Sequence, residues 1–132
     1  MAKQFTLKKD ERLKRRKIIE QLFSEGRAVS AFPIRVQYKM VDQLTVSLQA
    51  GFSVSSRNFK RAVDRNRIKR LMREAYRLQK LPLEQALQTK ERQLALFLIY
   101  TGKELPPFTL VKEKVEVVLR KLLQTVNGVK WN

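Results

Sequence analysis

Between Lys60 and Lys80 the chain carries two patterns at once, and together they leave few ways to fold it. Ile68, Leu71, Met72 and Ala75 recur at helical spacing, with Leu78 at the edge of the same stripe. Asn66, Lys69, Arg70, Arg73 and Arg77 fall on the opposite side. The segment holds nine Lys or Arg and only two acids, Asp64 and Glu74. A helix divided this way must bury one side against a second layer and leave a row of cations in water. A solvated helix face normally mixes signs, because Glu–Lys pairs four apart stabilise it, whereas like charges at that spacing cost a few tenths of a kcal/mol per pair. A polyanion would offset that cost.

The charge of the whole chain points the same way. Lys and Arg outnumber Asp and Glu 29 to 12, a net charge of +17. Residues 1–80 carry 21 of the bases and 7 of the acids. Within them, residues 1–17 form a second basic block of eight bases and two acids. Such a field attracts nucleic acid first and an anionic membrane surface second. The arginines that dominate the central helix present planar forks that match a phosphate bidentately.

Several functions are excluded by what the chain lacks. It has no Cys, hence no disulfide and no thiolate metal site, and no His, the usual general base and commonest metal ligand. No apolar run approaches the roughly 20 residues of a membrane span, and the start lacks the apolar stretch of a secretory signal. The expectation is a cytoplasmic, soluble protein of 132 residues in one domain, with residues 1–12 a loose basic arm.

The periodicities set the element order. A first helix is expected over about 13–25, with Ile18, Ile19, Leu22 and Phe23 as its apolar stripe and Gly26 as a left-handed stop. From Ile34 the period is two, with Val36, Tyr38 and Met40 alternating against Arg35, Gln37 and Lys39. A second strand is expected over 45–55, with Gly51 marking a bulge or a close approach, and a short strand is possible near 28–31. The basic helix follows, Pro82 breaks it, and 83–92 reads as a short helical turn or a loop. Leu94–Tyr100 reads as a strand covered on both faces, and residues 109–126 as a last helix closed by Asn127-Gly128. The order helix, strands, helix, strand, helix implies an α+β fold, an α/β sandwich.

The candidate site follows from these elements. Asn66 reads equally as an RNA contact and as a local cap. If the outward side of the 34–40 strand lies near both basic helices, the three frame a positive trough suited to single-stranded nucleic acid. Phe23 and Phe52 are candidates for its floor, although an aromatic in an apolar stripe reads first as core. No catalytic constellation exists: Ser53, Ser55 and Ser56 have no His, the acids are scattered beside bases, and no Gly-rich phosphate loop is present. Neither a catalytic residue nor a protein-held metal is expected. A small basic ribosomal protein has the same composition. A major-groove DNA binder would need a dimer or a partner helix that the sequence does not show.

The run Ala62-Val63-Asp64-Arg65-Asn66-Arg67-Ile68-Lys69-Arg70-Leu71-Met72-Arg73-Glu74 resembles the signature helix of the bacterial ribonuclease P protein subunit. Arg12-Leu13-Lys14, Phe23 and Gly26 resemble that family's first helix, Gly51–Ser55 the strand before the signature, and Leu94–Tyr100 the strand after it. The resemblance implies a four-stranded sheet like that of the second domain of a small-subunit ribosomal protein, with a left-handed βαβ crossover against the ordinary handedness rule. It implies that a partner RNA is the catalyst. With bound Mg²⁺, that RNA hydrolyses a phosphodiester of precursor tRNA and releases the 5′ leader. The protein alone would hold no cofactor and need no protein partner. Arg65, Asn66, Arg67, Lys69, Arg70, Arg73 and Arg77 would contact the RNA subunit. Arg12, Lys14, Ile19, Phe23, Arg35, Gln37 and Lys39 would line the cleft for the leader. Two departures stand out. The family often has Phe where this chain has Ile19, and an aromatic is common on the outward strand side, which here is polar and basic. Weaker base stacking on the leader and relatively stronger backbone charge contacts are therefore expected.

Overall fold

The Leu94–Tyr100 run contains no charged residue, so a strand made from it needs cover on both faces. The computed structural model, which describes residues 11–42 and 44–128, provides that cover. The elements are α1 (Arg16–Glu25), β1 (Arg27–Ala31), β2 (Ile34–Val41), β3 (Leu48–Val54), α2 (Ala62–Gln79), α3 (Leu81–Thr89), β4 (Gln93–Tyr100) and α4 (Phe108–Val126). The sheet order is β1-β2-β4-β3, antiparallel except for the parallel β3–β4 pair. Leu94, Leu96, Leu98 and Tyr100 enter the core shared with α2, α3 and α4, whereas Ala95 and Phe97 turn to the other face, under α1.

Adjacent parallel strands require a crossover, here made by α2 and α3. Its hand follows from one hydrogen bond. The Leu94 N–H donates to the Ser47 carbonyl at 2.9 Å, so it points toward β3, while the Leu94 side chain points into the α2–α4 layer. For an L-residue on a strand running upward with its side chain toward the viewer, the N–H points right. Seen from the helices, β3 therefore stands to the right of β4. The chain passes in front from right to left, which is a left-handed crossover, the uncommon hand.

Within α2 the stripe is as read, with one substitution. Ile68, Met72, Ala75 and Tyr76 are buried, Leu71 is partly so, and Leu78 is 36% exposed. Each fully buried large side chain of this kind contributes about 1.5–3 kcal/mol.

Other local expectations change. The stretch read as a turn or loop after Pro82 is the nine-residue helix α3, and Pro82 sits in its first turn, where a missing N–H costs nothing. β3 begins at Leu48 rather than Thr45. Gly26 ends α1 in extended backbone, not left-handed: a Cβ there would lie 2.4 Å from the Leu22 carbonyl oxygen and 2.8 Å from that of Tyr38. Gly51 makes no bulge. The β3–β4 register runs unbroken past it, and its missing side chain leaves room for the Phe97 ring. Of the arm expected over 1–12, residues 1–10 lie outside the described residues, and its last two positions are held in place. Glu11 is buried against Lys80, and Arg12 bridges Ala50 of β3 in parallel.

Candidate nucleic-acid interface

The loop leading into α2 ends at Arg61, which provides no side-chain cap. Arg65 instead ties the entering loop to the helix, donating from Nη1 to the carbonyls of Phe59 at 2.7 Å and Lys60 at 2.8 Å. Its guanidinium is thereby half-buried and turned toward the backbone. Asn66, Arg67 and Arg70 are exposed, and Lys69 is partly so. Val63, 59% exposed, begins the same row, one turn before Arg67 and two before Arg70.

Arg73 lies over the Phe52 ring, its guanidinium carbon 5.7 Å from the ring centroid. Burial first, then the neighbouring Arg12 and Arg70 guanidiniums, draw its proton affinity below that of an ordinary arginine. Phe52 itself packs inward, edge-on to Tyr76, and belongs to the core side. Arg77 differs from the rest of the row because it forms a forked pair with Glu74, at 3.1 and 2.5 Å. That bond holds the Glu74 carboxyl below the usual carboxylate range. Among the described residues, Lys69, Arg70 and Arg73 have no carboxylate partner.

The second part of the interface lies on the opposite sheet face. Ile18 and Leu22 bury α1 against Leu13, Leu44 and Ala95, with Ile19 half-buried at the margin. Gln37 is buried beneath the helix; its Nε2 donates to the Leu22 carbonyl at 3.0 Å and its Oε1 accepts from Arg35 at 3.0 Å. Lys39 reaches Glu25 at 3.7 Å. Gln37 and Lys39, expected along a cleft, therefore fasten α1 to the sheet.

Phe23 is not core. It is 50% exposed, and its ring stands edge-on to Phe97 with centroids 5.5 Å apart. The next row of the sheet, Arg35, Ile99 and Ser53 by register, is only partly covered, and Arg35 is exposed. An open cleft thus has aromatic edges on one side, a half-apolar floor and a cation beside it. Sequence reading missed Phe97, Ile99 and Ser53. The aromatic absent from the outward side of β2 and from position 19 is supplied by β4, inside a run whose uniform apolarity hid which residues face α1.

Lys14 is exposed just before α1. Arg12 is exposed too, and its charge acts on Arg73 of α2.

Comparison with known proteins agrees with this geometry. Residues 7–123 match the family model described as Ribonuclease P. The ribonuclease P protein component of Porphyromonas gingivalis strain W83 is 37% identical over 123 residues, covering 92% of this chain and 90% of that one. That of Chlorobium phaeobacteroides is 30% identical over 128 residues, covering 89% and 88%. Among solved structures, the Staphylococcus aureus RNase P protein superposes with a TM-score of 0.68 at 20% identity, over 84% of this chain and 94% of that one. The Thermotoga maritima protein gives 0.66 at 24%, over 84% and 96%. At these identities the structures speak for the fold.

Proposed function

The chain belongs to the ribonuclease P protein family, and from that premise we propose that it binds a catalytic RNA through α2 and the 5′ leader of precursor tRNA through the α1 cleft. The observation that carries the reading is the pairing of an uncompensated cation row with an aromatic-edged cleft on the opposite face of one sheet. Asn66, Arg67, Lys69, Arg70 and Arg73 supply phosphate contacts to structured RNA. Phe23 and Phe97 offer ring surface to unstacked leader bases, and Arg35 and Lys14 sit where backbone phosphates would follow. Arg65 and Arg77 act on the protein itself, shaping the start of α2 and its last turn.

The polypeptide positions; the RNA cleaves. Mg²⁺ takes an octahedral set of hard oxygen ligands. Among the described residues no three of Asp, Glu, His or Cys gather to hold such an ion. In this reading Mg²⁺ is held by RNA. The protein's contribution is to neutralise phosphate repulsion at the junction of the two RNAs, which lowers the Mg²⁺ that they need. The work is placed in the cytoplasm, where tRNA precursors are made. No helix among the described residues is long and apolar enough to cross a membrane.

Reconstitution tests this. The protein alone should not cleave precursor tRNA, the cognate RNA alone should cleave at high Mg²⁺, and at low Mg²⁺ cleavage should need both. Equal rates for bare RNA and holoenzyme at low Mg²⁺ would contradict the proposal. Stable co-sedimentation with ribosomal subunits in high salt would support the ribosomal alternative instead.

A further inference from the structure

Lys80 and Glu11 form an ion pair whose side chains are only 3% and 8% exposed, with Glu84 4.0 Å from the same ammonium. The partners are 69 residues apart in sequence. Buried pairs of this kind recover little of their desolvation cost, and an apolar pair of equal volume is often as stable; their best-attested use is to fix register. What this pair fixes is the N-terminal segment. Glu11 is seated at the α2–α3 junction, and the next two residues run along the outer edge of β3, where Leu13 N–H donates to the Ala50 carbonyl at 2.9 Å.

Side chains alternate along such a segment. Leu13 enters the cluster beneath α1, so Arg12 points to the other face, where Ala50 and Phe52 pack toward α2. Arg73 is already directed there by its stacking on Phe52. Arg70 lies one turn earlier and is exposed. None of the three guanidiniums has a carboxylate partner among the described residues. Arg73 lies within electrostatic reach of both others: burial first, and then the charges of Arg12 and Arg70, weaken its hold on its proton.

We propose that Arg12, Arg70 and Arg73 form a single phosphate site, and that Glu11 and Lys80 are the positioning residues that complete it by locking Arg12 across from α2. The ligand is an RNA phosphodiester, supplied either by the catalytic RNA or by the leader. The inference rests on the RNA-binding reading above and adds to it that residues from two distant segments share one phosphate.

The test is a double-mutant cycle on affinity, measured across about 50–200 mM salt with the cognate catalytic RNA, and then with holoenzyme and precursor tRNA with or without its leader. Arg12→Ala and Arg73→Ala should each weaken binding about tenfold, as loss of a charge-assisted hydrogen bond does. Each should flatten the log–log salt slope by about 0.7–0.9. The double variant should lose scarcely more than either single one. Arg12→Lys should keep the slope and lose part of the affinity.

Glu11→Gln gives the sharper result. It removes a negative charge from a protein that binds a polyanion, so general electrostatics would tighten binding; the site requires binding to weaken and the slope to flatten as in Arg12→Ala, with the melting transition retained. Additive losses in the cycle, or tighter binding by Glu11→Gln, would overturn the shared site. The arm in which the coupling shows identifies which RNA supplies the phosphate. Wild-type protein that bound cognate RNA no better than an unrelated RNA would instead overturn the RNA-binding reading itself.

Discussion

The Phe97 ring lies directly over the α-carbon of Gly51, so close that a Cβ added there would fall 2.2 Å from the ring. The same ring meets Phe23 edge to face. The bare backbone of β3 thus lets an aromatic from β4 lie against the sheet and form one wall of the cleft beneath α1. Gly51→Ala should therefore displace Phe97 and lower stability by about 1–3 kcal/mol, as overpacking does. A melt would show the lower transition temperature, and adding Phe97→Leu should recover most of it. An unchanged melt for Gly51→Ala alone would mean that the ring has room to move.

Phe23 exposes half its surface for no benefit to the core, so its removal should cost function more than stability. Phe23→Ala should weaken holoenzyme binding of precursor tRNA by the worth of one stacked base, about 1–3 kcal/mol. Binding of a tRNA without its leader should be unchanged. Equal losses on both substrates would assign Phe23 to the tRNA body or to folding.

Gln37 ties α1 to the sheet through the Leu22 carbonyl. Gln37→Leu removes the donor, leaves that carbonyl without it and releases Arg35 from its partner. Because the carbonyl keeps the Gly26 N–H, the expected cost is about 0.5–1.5 kcal/mol in denaturant unfolding. Amide exchange should quicken in α1 ahead of the rest of the chain.

Acid sensitivity has a definite sign at one place on α2. Arg77 holds Glu74 below its ordinary value of 4.5, so the pair stabilises the fold above that value, and its contribution disappears as pH falls through the depressed one. Both groups face solvent, which keeps the effect small. Glu74→Gln should reduce stability slightly at neutral pH, and the deficit should shrink as pH falls below 4.5 and the wild-type carboxyl takes up its proton. A variant whose deficit grew with acidity would reverse the assignment.

Most of the fold was legible because its elements have clean periods: the stripe of α2, the alternation of β2 and the closing Asn127-Gly128 all stand where spacing put them. Legibility failed where one pattern served two readings. The all-apolar β4 run reveals a strand without revealing that Phe97 faces α1 and Leu96 the core. Arg65 carries the charge of an RNA contact, yet nothing in its spacing shows that it turns back to the Phe59 and Lys60 carbonyls. Glu11 and Lys80 looked like ordinary members of basic segments, since a pairing across 69 positions leaves no local trace. Gln37 and Lys39 alternate as outward residues should, but outward on that face means under α1.

The claim on which the account turns is that α2 and the α1 cleft meet different RNAs. The chain has no cysteine, so one introduced thiol can carry an Fe–EDTA tether as a unique source of hydroxyl radicals. Val63→Cys, at the head of the cation row, should direct strand scission to the catalytic RNA. Phe23→Cys should direct it to the leader, and Glu113→Cys on the exposed side of α4 to neither. Scission of the catalytic RNA from position 113 but not from position 63 would contradict the account.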